Sequence, residues 1–307
     1  MCDSVGLYFE RVHPFVPIIH KPRFLEKYAF TRSATRTEDW QDTLKSSLLL
    51  NCMLALAAGF SKSSLLKPFS VFEKGVPFGK HAADIYYDSL RAPPKSCLEY
   101  LQGCILFAFY LYLSGPDTEG WLVIGTCTRL AYDMCLDRTD MNYPESVRES
   151  ITEWMHKEEL RRAWWSIWEL DTFSAALACR RHAIDQRSFK VKLPVSDKFW
   201  FAGQRVESAV IESDVSLAWR ALRDCENQDE RAWFLVCNYL LLIAHDLGQQ
   251  SSVDAADVAK TESAAVCYSL LLPERFHVRP TSRVASSNGD QTVQWNWILT
   301  TNIMLQG

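Results

Sequence analysis

The sequence predicts an all-α fold, a single multi-helix domain built from packed helical hairpins. Apolar residues recur at helical spacing over long segments, and capping boxes precede two of them. No strand alternation, hairpin turn or fixed-period repeat interrupts the pattern.

The chain opens on an amphipathic start. Val12-His13-Pro14-Phe15-Val16-Pro17-Ile18-Ile19-His20-Lys21-Pro22 follows, and three prolines at this spacing rule out a regular helix. The apolar residues between them predict an extended segment laid over the core. Arg32–Asp42 reads as a polar loop. A helix over 43–60 ends at Gly59, a C-cap candidate. Another spans 79–91, with Ala82, Ile85, Tyr86 and Leu90 inward and Pro93-Pro94 stopping it. Ser96-Cys97-Leu98-Glu99 fits a capping box, and the helix behind it carries Leu101, Cys104, Ile105, Ala108, Leu111 and Tyr112 on one stripe.

Ser114-Gly115-Pro116 makes the turn into a helix capped by Asp117 or Thr118 and running to about Leu136. Ser150-Ile151-Thr152-Glu153 is a second capping box, opening a helix to about Ala178. A basic loop over 180–192 and an aromatic loop, Phe199-Trp200-Phe201, come next. Helices are predicted near 207–223, 229–247 and 255–272, the last stopped by Pro273. Residues 276–292 read as a flexible loop, and Val293–Gln306 as an apolar helix.

With 48% hydrophobic and 23% charged residues, the chain can build a sizeable core. A net charge of -4 argues against a nucleic-acid or membrane-surface binder, which favours a basic face. The longest apolar runs, Leu48–Phe60 and Cys104–Leu113, fall short of the roughly 20 residues of a spanning helix, and no signal peptide opens the chain. The ten cysteines contain no C-x-x-C pair and lie mostly in apolar stretches. They are expected reduced and buried, in an intracellular compartment.

No G-x-S-x-G, H-E-x-x-H, P-loop or G-x-G-x-x-G motif occurs. The seven histidines are scattered, and Asp137-Arg138-Thr139-Asp140 is a poor metal candidate. The sequence therefore assigns no catalytic, cofactor-binding or metal-ligating residue, and no enzyme activity is expected.

Three constellations remain. Trp121, Gly125 and Arg129 fall at i, i+4, i+8, and Asp133 and Asp137 continue the line. Gly125 is expected to let a neighbouring helix approach closely. The stripe reads either as a ligand-sensing surface or, more simply, as a solvated or interhelical salt-bridge face. The second constellation is Glu159-Leu160-Arg161-Arg162-Ala163-Trp164-Trp165-Ser166-Ile167-Trp168-Glu169-Leu170-Asp171. Its tryptophans read as core. Asp171 lies among apolar residues and needs a partner, and Arg129 is expected to meet it. Glu158 and Arg162 are expected to pair at i,i+4 on an exposed edge. The third is the basic run Arg180, Arg181, Arg187, Lys190 and Lys192, which reads either as a phosphate-binding or nuclear-targeting patch or as a solvated loop.

In this order the segments resemble the fungal-specific transcription factor domain, the regulatory middle region of fungal zinc-cluster factors. The resemblance rests on Tyr8-Phe9, Val12-His13-Pro14 and Pro17-Ile18-Ile19-His20; then Gly120-Trp121, Gly125, Arg129-Leu130-Ala131 and Asp133. It continues through Glu159, Arg161-Arg162, Trp164-Trp165 and Asp171 to Arg180-Arg181 and Leu193-Pro194, and covers about residues 5–272. The family's glycine-leucine-histidine-arginine run appears as Cys135-Leu136-Asp137-Arg138, and its glycine-arginine-proline turn as Cys179-Arg180-Arg181-His182.

The resemblance implies a regulatory domain acting in the nucleus on RNA polymerase II transcription. It implies a homo- or heterodimer with related factors, contacts with the transcription machinery and a small-molecule effector. Relatives read DNA through an upstream binuclear zinc cluster, whose thiolates must converge on two metals. This chain has no such spacing, so zinc is expected only in an upstream segment, direct DNA binding is not expected, and the chain is expected to be truncated at both ends. A stand-alone co-regulator or dimerisation module without DNA binding is the alternative reading, and an all-α enzyme with an unrecognised site is a third, less favoured one.

Overall fold

Helix formation follows the apolar periodicity and the caps. The computed structural model describes residues 2–31, 40–63, 69–70, 73–115, 117–141, 149–178, 180–185, 190–276, 297–301 and 303–304. Among them no strand forms, and one isolated antiparallel bridge joins Lys192 and Val210. The all-α expectation holds. The chain's contacts fall into two units, residues 1–137 with 162–184, and residues 138–161 with 185–307.

In the first unit, α1 (Cys2–Arg11), α2 (Lys21–Thr31), α3 (Trp40–Ala57), α4 (Val76–Arg91), α5 (Leu98–Ser114) and α6 (Thr118–Asp133) follow one another. Helix α3 packs against α1, α4 and α5, and α5 against α6. From Tyr100 to Ala108 helix α5 is buried on every side, as an all-round apolar helix must be. With its 3₁₀ continuation, α3 forms a helix over Asp42–Phe60, long and apolar enough by length and composition to cross a membrane. It is longer than the apolar run alone because polar residues join its first turns. Its Leu48, Leu49, Cys52, Met53 and Ala57 are buried in this core. Each fully buried leucine contributes about 1.5–3 kcal/mol relative to exposure.

The proline segment is laid over the core, with Val12, Val16, Ile18 and Ile19 buried, but residues 12–16 run as hydrogen-bonded turns rather than extended chain. Val12 O and Val16 O accept backbone N–H groups within the segment's own turns, and side chains take two further carbonyls. Gln102 Nε2 donates to Ile18 O at 2.6 Å, and Arg162 Nη1 to Pro17 O at 3.1 Å. The segment gives way to helix earlier than its prolines suggest. α2 begins at Lys21, with Pro22 in the first turn, where a missing N–H costs nothing. His20 Nδ1 accepts from Arg23 N.

Three local expectations differ. Gly59 sits within the 3₁₀ turn Ala58–Phe60 rather than in a left-handed cap. Leu90 is 48% exposed, because Gly79, Ala82, Tyr86 and Ser89 form the buried stripe of α4. The Ser96–Glu99 box does not form. Cys97 is the N-cap, and Glu99 Oε1 accepts instead from Lys27 Nζ (2.7 Å), Tyr28 Oη (3.0 Å) and Ser46 Oγ (3.3 Å). Three long-range donors, one of them charged, outweigh one local N–H. The Asp117 cap does form, accepting from Gly120 N at 3.0 Å.

Helix α7 (Ile151–Ala178) contributes residues to both units, the division falling after Arg161. Its capping box is complete: Ser150 N donates to Glu153 Oε2 at 2.7 Å, and Glu153 N to Ser150 Oγ at 3.2 Å.

In the second unit, Trp154, Val195, Trp200 and Val206 form a core flanked by Met155, Phe199 and Phe201. The expected aromatic loop is a short helix, α8 (Asp197–Ala202), ended by Gly203 at φ +63°. Trp200 Nε1 donates to Met155 O at 3.0 Å. The helix expected over 207–223 shrinks to α9 (Val215–Ala218) followed by turns. Residues before it pair as extended backbone, Leu193 N donating to Ala209 O at 2.8 Å and Ser208 Oγ to Leu193 O at 2.6 Å.

Helices α10 (Glu230–Gly248) and α11 (Ala255–Leu271) match their predicted spans and pack on each other and on α9. Asp229 and Asp254 cap them. The predicted loop 276–292 lies, apart from Phe276, outside the described residues. So does half of 293–306, of which 297–301 and 303–304 are helical, with Trp297 against Phe234 at 4.6 Å between ring centroids.

Eight cysteines among the described residues are free. Cys52, Cys104, Cys127 and Cys237 are buried, and burial pushes Cys104 and Cys237 up to about 12. Cys135, against expectation, is exposed, and its backbone takes φ +56°. This is the position where the resembling family carries glycine, the residue that adopts that conformation without strain. Cys135→Gly should stabilise the fold by about 0.5–1 kcal/mol, the relief of strain exceeding glycine's added unfolded-state entropy. A urea midpoint that stays level or falls in this variant would count against strain at Cys135.

Candidate functional site

The adjacent arginines of α7 have different tasks. Arg161 enters a buried ionic cluster of the second unit. It forks onto Asp140, with Nε to Oδ2 at 2.9 Å and Nη2 to Oδ1 at 2.6 Å. Both side chains are only 6% exposed. Its Nη1 reaches Glu158 Oε2 at 3.3 Å, one turn earlier. The remaining acceptors take backbone donors: Lys192 N gives to Asp140 Oδ2 at 2.8 Å, and Val195 N to Glu158 Oε1 at 2.9 Å. The planar fork of arginine suits this task and an ammonium would not.

Burial by itself would raise the Asp140 carboxyl. The bonds and charge of Arg161 with the Lys192 N–H override it and hold the pKa below the ordinary aspartate value. Burial opposes the charge of Arg161 in turn, and Asp140 and Glu158 outweigh it, so this guanidinium stays charged.

Arg162, next in sequence and pointing about 100° away round the helix, is buried in the first unit on Pro17 O. The expected Glu158–Arg162 pair on an exposed edge is therefore corrected. Glu158 is fully buried and pairs with Arg161 at i,i+3. Asp140 appeared in the sequence only within a poor metal candidate, and its carboxylate is occupied by a cation and an N–H. The tryptophans are core: Trp164, Trp165 and Trp168 are fully buried, Trp165 edge-on to Trp168 at 5.3 Å and Trp164 edge-on to Tyr132 at 5.7 Å.

Asp171 does not meet Arg129. Its Oδ2 accepts from Ala183 N at 2.8 Å and Ile184 N at 3.0 Å, anchoring the turn that follows α7. Two peptide donors satisfy the carboxylate at short chain separation, which an exposed arginine on α6 cannot match. Desolvation is still the largest influence. The two N–H bonds and nearby His182 offset only part of it, so the Asp171 pKa stays above the ordinary value.

Arg129 instead folds back along its own helix, Nη1 donating to Gly125 O at 2.9 Å. A Cβ on Gly125 would sit 3.1 Å from that nitrogen, so the glycine makes room for the guanidinium and not for a neighbouring helix. Asp133 is exposed.

Beside these residues the first unit has a cleft of about 330 Å³. From α6 it is lined by Trp121, Gly125, Arg129 and Tyr132, and Asp171 and Arg181 belong to the same lining. Arg180 places its guanidinium 4.7 Å from the centre of the Trp121 ring, a cation–π contact. Within the predicted basic run, Lys190 is exposed in the second unit. Lys192 there is tied by Nζ to Glu207 at 3.0 Å as well as by its N–H to Asp140. Arg187 lies outside the described residues. The sequence did not single out Leu122 or Tyr132 as lining residues.

A family model described as the fungal specific transcription factor domain matches residues 5–257. The chain is 29% identical over 196 residues to the tropolone cluster transcription factor tropK of Talaromyces stipitatus, covering 64% of this chain and 32% of that protein. It is 33% identical over 171 residues to the pigment biosynthesis transcriptional activator pigB of Monascus ruber, covering 54% and 28%. It is 28% identical over 225 residues to the sorbicillinoid biosynthetic cluster transcription factor 1 of Penicillium rubens, covering 65% and 34%. The chain thus spans about a third of the length of these relatives. No solved structure matches it.

Arg161→Met should cost about 3–5 kcal/mol, because two buried carboxylates lose their cation. A loss under about 1 kcal/mol in urea unfolding would remove the cluster from the stability of the second unit. Since the Asp140 pKa is lowered on folding, its contribution is present above the ordinary aspartate value, about 3.9, and is lost as pH falls through the lowered one. Asp140→Asn should flatten that acid limb.

At Asp171 burial works against the charge, so Asp171→Asn, which keeps an acceptor for both N–H groups, should change stability by less than about 1 kcal/mol. Asp171→Ala should lose about 2–3 kcal/mol by orphaning two donors. Equal losses in the two variants would show that the charge, not the acceptor, matters.

Proposed function

Since the chain belongs to the fungal specific transcription factor domain family, we propose that it is the regulatory domain of a transcription factor controlling RNA polymerase II genes in the nucleus. It is a transcription-factor domain rather than an enzyme. The observation that carries the regulatory reading is the family match over 5–257, on a chain whose ten cysteines contain no C-x-x-C pair. In this proposal DNA is read, and zinc held, by a segment outside these residues, and the chain itself does neither.

Its partners are related factors, as homo- or heterodimers, and the transcription machinery. A small molecule or a partner biases helix packing and so governs the activity of segments elsewhere in the protein. The similar proteins named for a tropolone cluster, pigment biosynthesis and a sorbicillinoid cluster support biosynthetic-cluster genes as its targets.

Two measurements test this. In a gel shift the purified chain should give only weak, salt-sensitive retardation without sequence preference; specific, salt-resistant binding overturns the reading. Fused to a heterologous DNA-binding module, the chain should change the output of a reporter, and Arg161→Met should alter that change. A fusion indistinguishable from the module alone would equally overturn it.

A further inference from the structure

The strongest unassigned feature is the cleft beside α6, and its chemistry is particular. Trp121 is 38% exposed and Leu122 58% exposed on adjoining positions, a large apolar surface left open beside a concavity. Gly125 contributes no side chain there, leaving the wall low at that point. Two guanidinium groups, Arg129 and Arg181, line the same cleft, and among the described residues neither makes an ion pair. Arg129 has one nitrogen committed to Gly125 O and retains other N–H donors. The carboxylate in the lining, Asp171, is 1% exposed and has one oxygen taken by two backbone donors. Burial also favours its neutral form. Arg180 already lies over the Trp121 ring, so the cleft offers cationic donors and the rest of that aromatic surface, with little competing negative charge.

A volume of about 330 Å³ lies at the small end of ligand sites, enough for one or two fused rings. We propose that this cleft binds a small planar aromatic carboxylate, its ring laid against Trp121 and Tyr132 and its carboxylate held by Arg129 and Arg181. The proposal rests on the regulatory reading only in naming the chemical class of the effector. Forked guanidinium donors match a carboxylate, and an aromatic ring covers apolar area that a plain anion would leave wet. Because Asp171 anchors the turn carrying Arg181, an occupant bridging Arg129 and Arg181 would tighten that turn against α6.

Calorimetric titration of the full chain with 2-naphthoate tests it, with 2-naphthamide and inorganic phosphate as controls. Arg129→Gln and Arg181→Gln should each weaken 2-naphthoate about tenfold, the loss expected for one charge-assisted contact. Trp121→Ala should weaken it by about as much. 2-Naphthamide should bind about tenfold more weakly, and phosphate should not compete. Both arginines are exposed, and urea midpoints equal to wild type would show the glutamine variants folded. No heat at millimolar 2-naphthoate, equal binding by the three variants, or displacement by phosphate at equal concentration would each sink the proposal. A chain that fails to bind yet controls the fused reporter refutes this inference and leaves the regulatory reading standing. Binding by a chain inert in the reporter does the reverse.

Discussion

The second unit depends on hiding a full positive charge inside helical packing. Arg161 is tolerable there only because Asp140 meets it in a two-point fork and Glu158 supports it from one turn back. Those carboxylates are tolerable in turn because Lys192 and Val195 give them backbone N–H groups. The cluster therefore helps to fix where the 190–195 segment runs, together with its backbone pairing to 209–210. Such an arrangement adds little net stability over a well-packed apolar replacement, but it penalises any packing that leaves one member alone. It specifies position more than it adds stability.

The same economy of backbone satisfaction recurs in the first unit. A proline-interrupted segment satisfies only some of its carbonyls within its own turns, so Gln102 and Arg162 reach Ile18 O and Pro17 O from two helices. A turn after a long helix cannot satisfy its N–H groups, so Asp171 takes two of them. In this unit irregular chain near the core has no neighbouring extended chain to pair with, and buried polar side chains take over part of that role. This accounts for polar residues at core positions of α5 and α7, where periodicity alone asks for apolar ones.

What the sequence reveals follows from this distinction. Local signals were legible: the Asp117 cap, the Ser150–Glu153 box and the burial of Trp164, Trp165 and Trp168 depend on residues within a turn or two, whereas the one-sided stripe read for α5 is a helix buried all round from Tyr100 to Ala108. Pairings across the chain were not. Glu99 left its box for three donors distant in sequence. Asp171 preferred peptide N–H groups to an arginine, and Glu158 chose i,i+3 over i,i+4. Residues 207–211 read as helical, yet they extend because 192–193 offers them backbone partners. The cleft was half legible: the Trp121–Arg129 stripe was visible as a polar face, but Arg181, His182 and Ala183 join the lining from a turn anchored by Asp171.

The division after Arg161 has a consequence for how the protein is made. Each unit is assembled from two stretches of chain that alternate along the sequence. Residues 1–137 leave the ribosome well before residues 162–184, which bring Arg162, Trp164, Trp165 and Trp168 to the same unit. At a synthesis rate of about 5–20 residues per second, the wait lasts several seconds. During it, the carbonyl of Pro17 lacks the guanidinium that later receives it, and the apolar faces that will enclose the tryptophans stay open. Vectorial synthesis thus gives the nascent chain a sticky interval, during which chaperones have something to hold.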